Sequence, residues 1–283
     1  MDIESKKFLG QPKNFISIFN ALLFDGQPVL KDENSELVMN VSSKHVDIIK
    51  RYEDGTYLDL FVIESQSYVD QCMVARVMEY ESVARMRYIR QNFKKHVPMH
   101  TRLPMILTVV LYVGESKWNA AKRLSELEII HPGFEDMFNE FKLNLIELNT
   151  NHKYNTGEKA TQDFFDLLRM IYRKQILKED LDREFNRDAL YFAYVVTKNK
   201  ELLNIYQESE KGDVKVCRAL DEMFEESTNK GIQMGIKQGI EQGSEKKELE
   251  MYQKMMDKGF EIKTIASIFS VSEESIKTLL MRT

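Results

Sequence analysis

The stretch from residue 45 to residue 66, HVDIIKRYEDGTYLDLFVIESQ, decides the fold. Two runs rich in β-branched and aromatic residues flank the pair Asp54-Gly55, and this arrangement is a strong hairpin signal. With a two-residue turn, opposed residues have numbers that sum to 109, so His45 faces Glu64. Side chains alternate between the two sides of a strand, and directly opposed residues share a side. The sequence therefore predicts a β-hairpin with one polar face.

The polar residues of that face are His45, Asp47, Glu64 and Gln66. In the expected register Asp47 and Glu64 are diagonal neighbours, with Cβ atoms about 7–8 Å apart or less. Two carboxylates at this distance can hold Mg²⁺, which prefers carboxylate oxygens and water. Glu64 also follows the apolar segment 60–63, where an unpaired buried charge would be costly.

We therefore interpret Asp47 and Glu64 as metal ligands and catalytic residues for phosphodiester hydrolysis. Gln66 would orient water or contact phosphate, although an amide cannot deprotonate water or add positive charge. His45 is a candidate for supporting the ligands or transferring a proton. The alternative is structural, because any half-exposed hairpin can carry two acids on one side.

The segments around the hairpin predict a mixed α/β fold. Residues 15–24 read as a buried helix, and residues 68–95 contain no proline or glycine and follow a helical pattern. The apolar run 104–114 is typical of a strand buried on both faces, and residues 143–148 read as another strand. The polar stretch 32–43 is expected to be a loop with one short strand. This order predicts a sheet covered by helices on both sides.

The predicted helix after the hairpin carries a basic stripe. A solvated face is one interpretation of such a stripe, and contact with a phosphate backbone is the other. Its position directly after Glu64 and Gln66 favours the second interpretation. The candidate DNA contacts are Arg76, Tyr80, Arg87, Arg90 and Lys94.

Composition limits the class of protein. The chain has 283 residues, a formal net charge of -5 and a pI of about 5.7, so any nucleic-acid contact requires a local basic patch. The cysteines Cys72 and Cys217 and the five histidines lack the spacing of a zinc site. No apolar window reaches the length of about 18 residues that a membrane helix needs. We expect a cytoplasmic protein with no membrane association.

The second half of the chain is predicted to be helical. Helical patterns cover residues 159–178, 185–198 and 213–228. Glycine then recurs every fourth residue from Gly231 to Gly243, and each glycine weakens a helix by roughly 1 kcal/mol relative to alanine. This repeat favours a soft linker over a surface for self-association.

The C-terminal segment, residues 245–283, reads as three short helices with helix-turn-helix-like spacing. The helix that would read DNA begins with Glu273-Glu274, which is unsuited to facing phosphates. Helical packing or homo-oligomerisation is therefore favoured over DNA binding. The expected domains are a core at 1–150, a helical lobe at 151–229, and a glycine-repeat linker with a helical tail at 230–283.

Four segments carry a family resemblance: FISIFNALLFDG at 15–26, VDI at 46–48, IESQS at 63–67 and LPMILTVVLYVGESKW at 103–118. On these segments the chain resembles the Rpn family of recombination-promoting nucleases and transposases, within the PD-(D/E)XK nuclease superfamily. The resemblance implies an αβββαβ restriction-endonuclease-like core, Mg²⁺-dependent DNA endonuclease activity and a role in recombination or mobile elements.

By position, the resemblance assigns Asp47 and Glu64 as Mg²⁺ ligands, with Mn²⁺ expected to substitute. Gln66 stands in place of the superfamily lysine. The first helix offers Ser17 and Asn20 where the superfamily often has an acid, so a third ligand stays open.

Three functions follow from the sequence. The first is a metal-dependent DNA endonuclease. The second is a nuclease-fold protein with weak or no catalysis that binds DNA or protein partners, an alternative supported by Gln66 and the acidic net charge. The third is a DNA-binding regulator that uses residues 245–283.

Overall fold

The central sheet and its two flanking helices come from the first half of the chain. The structure, a computed structural model, describes residues 7–32, 35–37, 48–53, 58–176, 178–209 and 212–281. The elements are helix α1 (Pro12–Phe24), strands β1 (Ser35–Leu37), β2 (Ile48–Glu53) and β3 (Leu58–Gln66), helix α2 (Met73–Asn92), and strands β4 (Ile106–Tyr112) and β5 (Asn144–Glu147).

The sheet has the strand order β1-β2-β3-β4-β5. β1, β2 and β3 pair antiparallel, whereas β4 pairs parallel with both β3 and β5. Helix α2 makes the crossover from β3 to β4, as a parallel connection requires. The predicted hairpin, long helix, buried strand and final strand are confirmed, and the element order α-β-β-β-α-β is followed by β5.

The hairpin register differs from the predicted one by two residues. Glu53 pairs with Leu58 and Ile48 pairs with Ile63, so paired numbers sum to 111 rather than 109. The prediction of a two-residue turn at Asp54-Gly55 is wrong, because the strands end at residues 53 and 58. An even shift leaves every side chain on its expected face. Residues 54–57 and the predicted site residues His45 and Asp47 lie outside the described residues.

Helices cover both faces of the sheet, as the sequence predicts. On one face the Nζ of Lys50 in β2 lies 5.2 Å from the ring centroid of Phe15 in α1. On the other face Val77 of α2 packs in one apolar cluster with Val110 and Tyr112 of β4. All but one of the seven β4 residues are buried, which explains the continuous apolar run in its sequence.

Helices α3 (Lys159–Arg173), α4 (Arg187–Thr197) and α5 (Lys200–Glu208) follow, with the short strands β6 (Glu184–Phe185) and β7 (Val214–Lys215). Helix α5 was not predicted. A buried ion-pair network joins these elements: Asp163, 1% exposed, accepts hydrogen bonds from Arg183 Nη2 at 2.6 Å and from the Asn186 backbone at 2.7 Å. Their core contains stacked rings of Phe164 and Phe192, 4.4 Å apart.

The chain divides into the units Met1–Asp221 and Glu222–Thr283. Helix α6 (Cys217–Asp257) contains the whole glycine repeat, so the repeat is helical throughout. The Lys, Gln and Glu residues between the glycines are strong helix formers and account for the continuity. Ile232, Ile236 and Ile240 are exposed along α6.

Helices α7 (Ile262–Phe269) and α8 (Glu273–Leu280) confirm the predicted C-terminal helices. Ser272 caps α8 by accepting a hydrogen bond from the Ser275 backbone at 3.1 Å. Ile265, Ile276 and Tyr252 are buried in one small cluster. None of the helices in the described ranges combines the length and apolar character that a bilayer crossing requires.

Candidate functional site

The candidate site lies at the carboxyl end of β3, beside its parallel neighbour β4. Glu64 pairs with Val110, and Gln66 pairs with Tyr112. Because side chains alternate along a strand, Glu64 and Gln66 share the face that α2 covers. Both side chains are buried, with Glu64 2% exposed and Gln66 5% exposed. A charged group at this depth requires compensating partners.

Two side chains donate to the same oxygen of Glu64. The Gln66 Nε2 donates a hydrogen bond to Glu64 Oε1 at 2.9 Å. The Nη2 of Arg76, in the first turn of α2, donates to that oxygen at 3.2 Å and forms an ion pair with it. The structure therefore joins two predicted catalytic residues to the first predicted DNA contact.

Arg76 also binds two further groups. Its Nη1 donates to Asp70 Oδ2, and its Nε donates to the Tyr80 hydroxyl at 2.8 Å. Burial alone would lower the pKa of Arg76, but the hydrogen bonds to Asp70 and Tyr80 outweigh it and raise that pKa above its ordinary value. The guanidinium is thus a permanent cation held between three partners.

The other residues of the basic stripe differ in exposure. Tyr80 is buried, and burial raises the pKa of its hydroxyl despite the hydrogen bond from Arg76. Arg87 is half-buried, whereas Arg90 and Lys94 are exposed at the carboxyl end of α2 and just beyond it. Exposed cations therefore occur at the far end of this helix from Glu64.

The end of β4 packs closely against the residue after Gln66. The Val113 backbone donates to the Gln66 carbonyl at 2.8 Å. A Cβ at Gly114 would lie 2.6 Å from the Ser67 carbonyl oxygen and 2.5 Å from the Tyr112 hydroxyl. Only glycine permits this approach without displacement, which explains the glycine at the end of the apolar run.

Two buried charged residues near the sheet were not identified from the sequence. Lys50 faces α1, and its burial lowers the pKa of the ammonium, an effect that Asp32 opposes. Glu81 of α2 accepts a hydrogen bond from the Thr108 backbone at 3.2 Å, and burial raises the pKa of its carboxyl. The spacing of Glu81 from Val77 marks it as a position on the buried face of α2, and this signal could have revealed it.

The polar residues of α1 have structural partners. The Ser17 hydroxyl contacts Thr161 Oγ1 at 2.8 Å, and the Asn20 side chain binds both backbone groups of Leu30. Within the described residues, no cluster of three or more histidine, cysteine, aspartate or glutamate side chains could hold a metal ion. Of the two predicted ligands, only Glu64 is described.

Comparison with known protein families identifies a match over the middle of the chain. A family profile described as "Putative transposase, YhgA-like" matches residues 44–202. This segment runs from just before β2 to the start of α5 and covers more than half of the chain. No curated protein and no solved structure shows significant similarity.

Proposed function

Since the chain belongs to the YhgA-like transposase family, we propose that it is a metal-dependent DNA endonuclease with a restriction-endonuclease-like core. The observation that carries the proposal is the contact of the buried Glu64 and Gln66 with the half-buried Arg76 at the carboxyl end of β3. The element order α-β-β-β-α-β around it matches the order expected for such a core. A transposase of this type acts on DNA, and hydrolysis of a phosphodiester bond is the corresponding reaction.

The side-chain oxygen atoms of Glu64 and Gln66 fit a hard cation. The Glu64 carboxylate and the Gln66 amide carbonyl are oxygen ligands of the kind that Mg²⁺ prefers, and one or two carboxylates suffice for that ion. Asp47 immediately precedes Ile48, whose partner Ile63 immediately precedes Glu64. We therefore assign Asp47 as the second carboxylate. When bound, Mg²⁺ supplies an activated water and neutralises charge on the transferring phosphoryl group.

The remaining residues have supporting roles in this proposal. Gln66 fixes the orientation of the Glu64 carboxylate through its 2.9 Å hydrogen bond, and His45 assists proton transfer. The exposed Arg90 and Lys94 and the half-buried Arg87 contact the DNA backbone away from the reacting bond, since cationic side chains give sequence-independent affinity. Manganese is expected to support the same reaction.

The experiment is plasmid nicking by purified protein with Mg²⁺ or Mn²⁺. Wild type and Glu147→Gln should nick, whereas Glu64→Gln and Asp47→Asn should not. Glu147 is a matched control because it also lies at the carboxyl end of a sheet strand and pairs with a cation, Lys122. Nicking that survives in both site variants contradicts the proposal, provided that circular dichroism shows all proteins folded.

The second candidate function is binding without catalysis. The observation that favours it is the depth of Glu64, which is 2% exposed and paired with Arg76. A carboxylate in this state holds a helix to a sheet without any metal. Calorimetric titration with Mn²⁺ separates the two functions: heat that Asp47→Asn and Glu64→Gln remove supports the nuclease, and absence of binding by wild type supports the alternative.

A further inference from the structure

We propose that Arg76 provides the positive charge of the active site that Gln66 cannot provide. This inference rests on the proposed endonuclease function. Hydrolysis of a phosphodiester places negative charge on the phosphoryl oxygens, and preorganised cationic donors stabilise that charge. Gln66 is neutral, so a side-chain cation that adds to the charge of the metal has to come from another position. Arg76, a permanent cation, forms an ion pair with Glu64.

The Arg76 side chain lies beside that of Gln66, because both contact the same oxygen of Glu64. Both side chains donate to Glu64 Oε1, Gln66 at 2.9 Å and Arg76 at 3.2 Å. Two groups on one oxygen occupy adjacent positions around it. Arg76, on the first turn of α2, therefore places its charge close to where a lysine at position 66 of β3 would place its own.

The guanidinium retains donors for a phosphate. Arginine has five N–H donors in a rigid fork. The contacts with Glu64, Asp70 and Tyr80 use three of them, one on each nitrogen. The two remaining donors sit on the two terminal nitrogens, and a bidentate contact with phosphate oxygens uses one donor on each of two nitrogens.

The surroundings of Arg76 make it a fixed cation. Its side chain is 23% exposed, so it is accessible while being restrained by three partners. Asp70 belongs to the short connection from β3 to α2, and Tyr80 lies one helical turn further along α2. Arg76 therefore contributes charge and position, and it does not exchange a proton during the reaction.

A charge in this place has opposite effects on two measurable quantities. It competes with a divalent cation for the Glu64 carboxylate, and it stabilises the phosphoryl group. Removing it should therefore tighten metal binding while slowing cleavage. If Arg76 served only to hold α2 against β3, its removal would weaken metal binding and slow cleavage.

The test uses Arg76→Gln, the double variant Arg76→Gln/Gln66→Lys, and the control Arg85→Gln. Arg85 lies on the same helix and pairs with an acid, Glu81, at 3.8 Å. Mn²⁺ affinity is measured by calorimetry without DNA, and nicking is measured with Mg²⁺. Arg76→Gln should bind Mn²⁺ several-fold more tightly and nick about 100-fold more slowly. The double variant should recover at least tenfold in nicking, and the control should match wild type.

Each outcome decides the proposal. Weaker Mn²⁺ binding together with slower nicking in Arg76→Gln, without recovery in the double variant, assigns Arg76 a structural role and overturns it. Unchanged nicking in Arg76→Gln also overturns it and leaves the endonuclease function intact. Absence of nicking by wild type refutes the endonuclease function itself, and the role of Arg76 in it.

Discussion

Substituting Gly114 by alanine tests how closely the site is packed. The new Cβ would lie 2.6 Å from the Ser67 carbonyl oxygen. An ordinary van der Waals contact begins near 3.4 Å, so the backbone must move by roughly 0.8 Å, and Ser67 directly follows Gln66. Overpacking of this kind costs about 1–3 kcal/mol, and alanine regains roughly 0.4–1 kcal/mol by restricting the unfolded chain. We expect a net loss on the order of 1–2 kcal/mol in the free energy of unfolding.

The assay for Gly114→Ala is urea unfolding followed by fluorescence of Trp118, the single tryptophan. Its ring lies 5.1 Å from that of Tyr112, so the signal reports unfolding of this part of the molecule. Nicking should also decrease, because Gln66 moves with Ser67.

The matched control for this substitution is Gly235→Ala. A Cβ there meets nothing within 4 Å, and the change should stabilise α6 by roughly 0.5–1 kcal/mol, read by circular dichroism. A Gly114→Ala variant as stable as wild type would refute the packing argument. A destabilised Gly235→Ala would show that alanine is unfavourable even at a glycine with open space around it.

Three further predictions concern other parts of the molecule. Asp163→Ala should lower the free energy of unfolding by about 3–5 kcal/mol in urea titration, since it removes the buried partner of Arg183; a loss below about 1 kcal/mol would contradict this. Burial raises the pKa of the Glu81 carboxyl above 4.5, against the opposing hydrogen bond from the Thr108 backbone. The stability that protonated Glu81 contributes at low pH is therefore lost as pH rises through the folded-state pKa. Glu81→Gln should therefore make the urea midpoint less dependent on pH above 4.5, and it should raise the midpoint at neutral pH. An unchanged dependence on pH would contradict the raised pKa of Glu81. Ser272→Ala should destabilise α8 by about 1 kcal/mol, seen as faster limited proteolysis of the C-terminal helices, and an unchanged rate would exclude a capping role.

Local patterns in the sequence predict most of the elements that surround the site. The continuous apolar run at 104–114 predicts a buried strand because burial on both faces removes the usual alternation, and β4 follows it. Ser272 marks the start of α8 because a hydroxyl caps the first turn of a helix. The side of the sheet on which a residue lies also follows from local alternation along the strand. The sequence therefore placed Glu64 and Gln66 on one side correctly, although the predicted register was wrong.

Features that depend on distant contacts were not predictable in the same way. The hairpin register follows from a connection of four residues, whose length the pair Asp54-Gly55 does not determine. The rotation of α2 against the sheet decides which of its cations turn inward. The sequence placed Arg76 on one stripe with Arg90, whereas packing brings Arg76 to Glu64 and leaves Arg90 exposed.

The parallel pairing of β3 with β4 has a consequence for biosynthesis. Glu64 pairs with Val110, a residue 46 positions later in the chain. At about 5–20 residues per second, the ribosome needs roughly 2–9 s to add that interval. Helix α2 is made within this interval, but β4, the strand that pairs with the segment of β3 carrying Glu64 and Gln66, is missing until the interval ends. Whatever chemistry these two side chains support is therefore withheld from the nascent chain until β4 has been made and has docked.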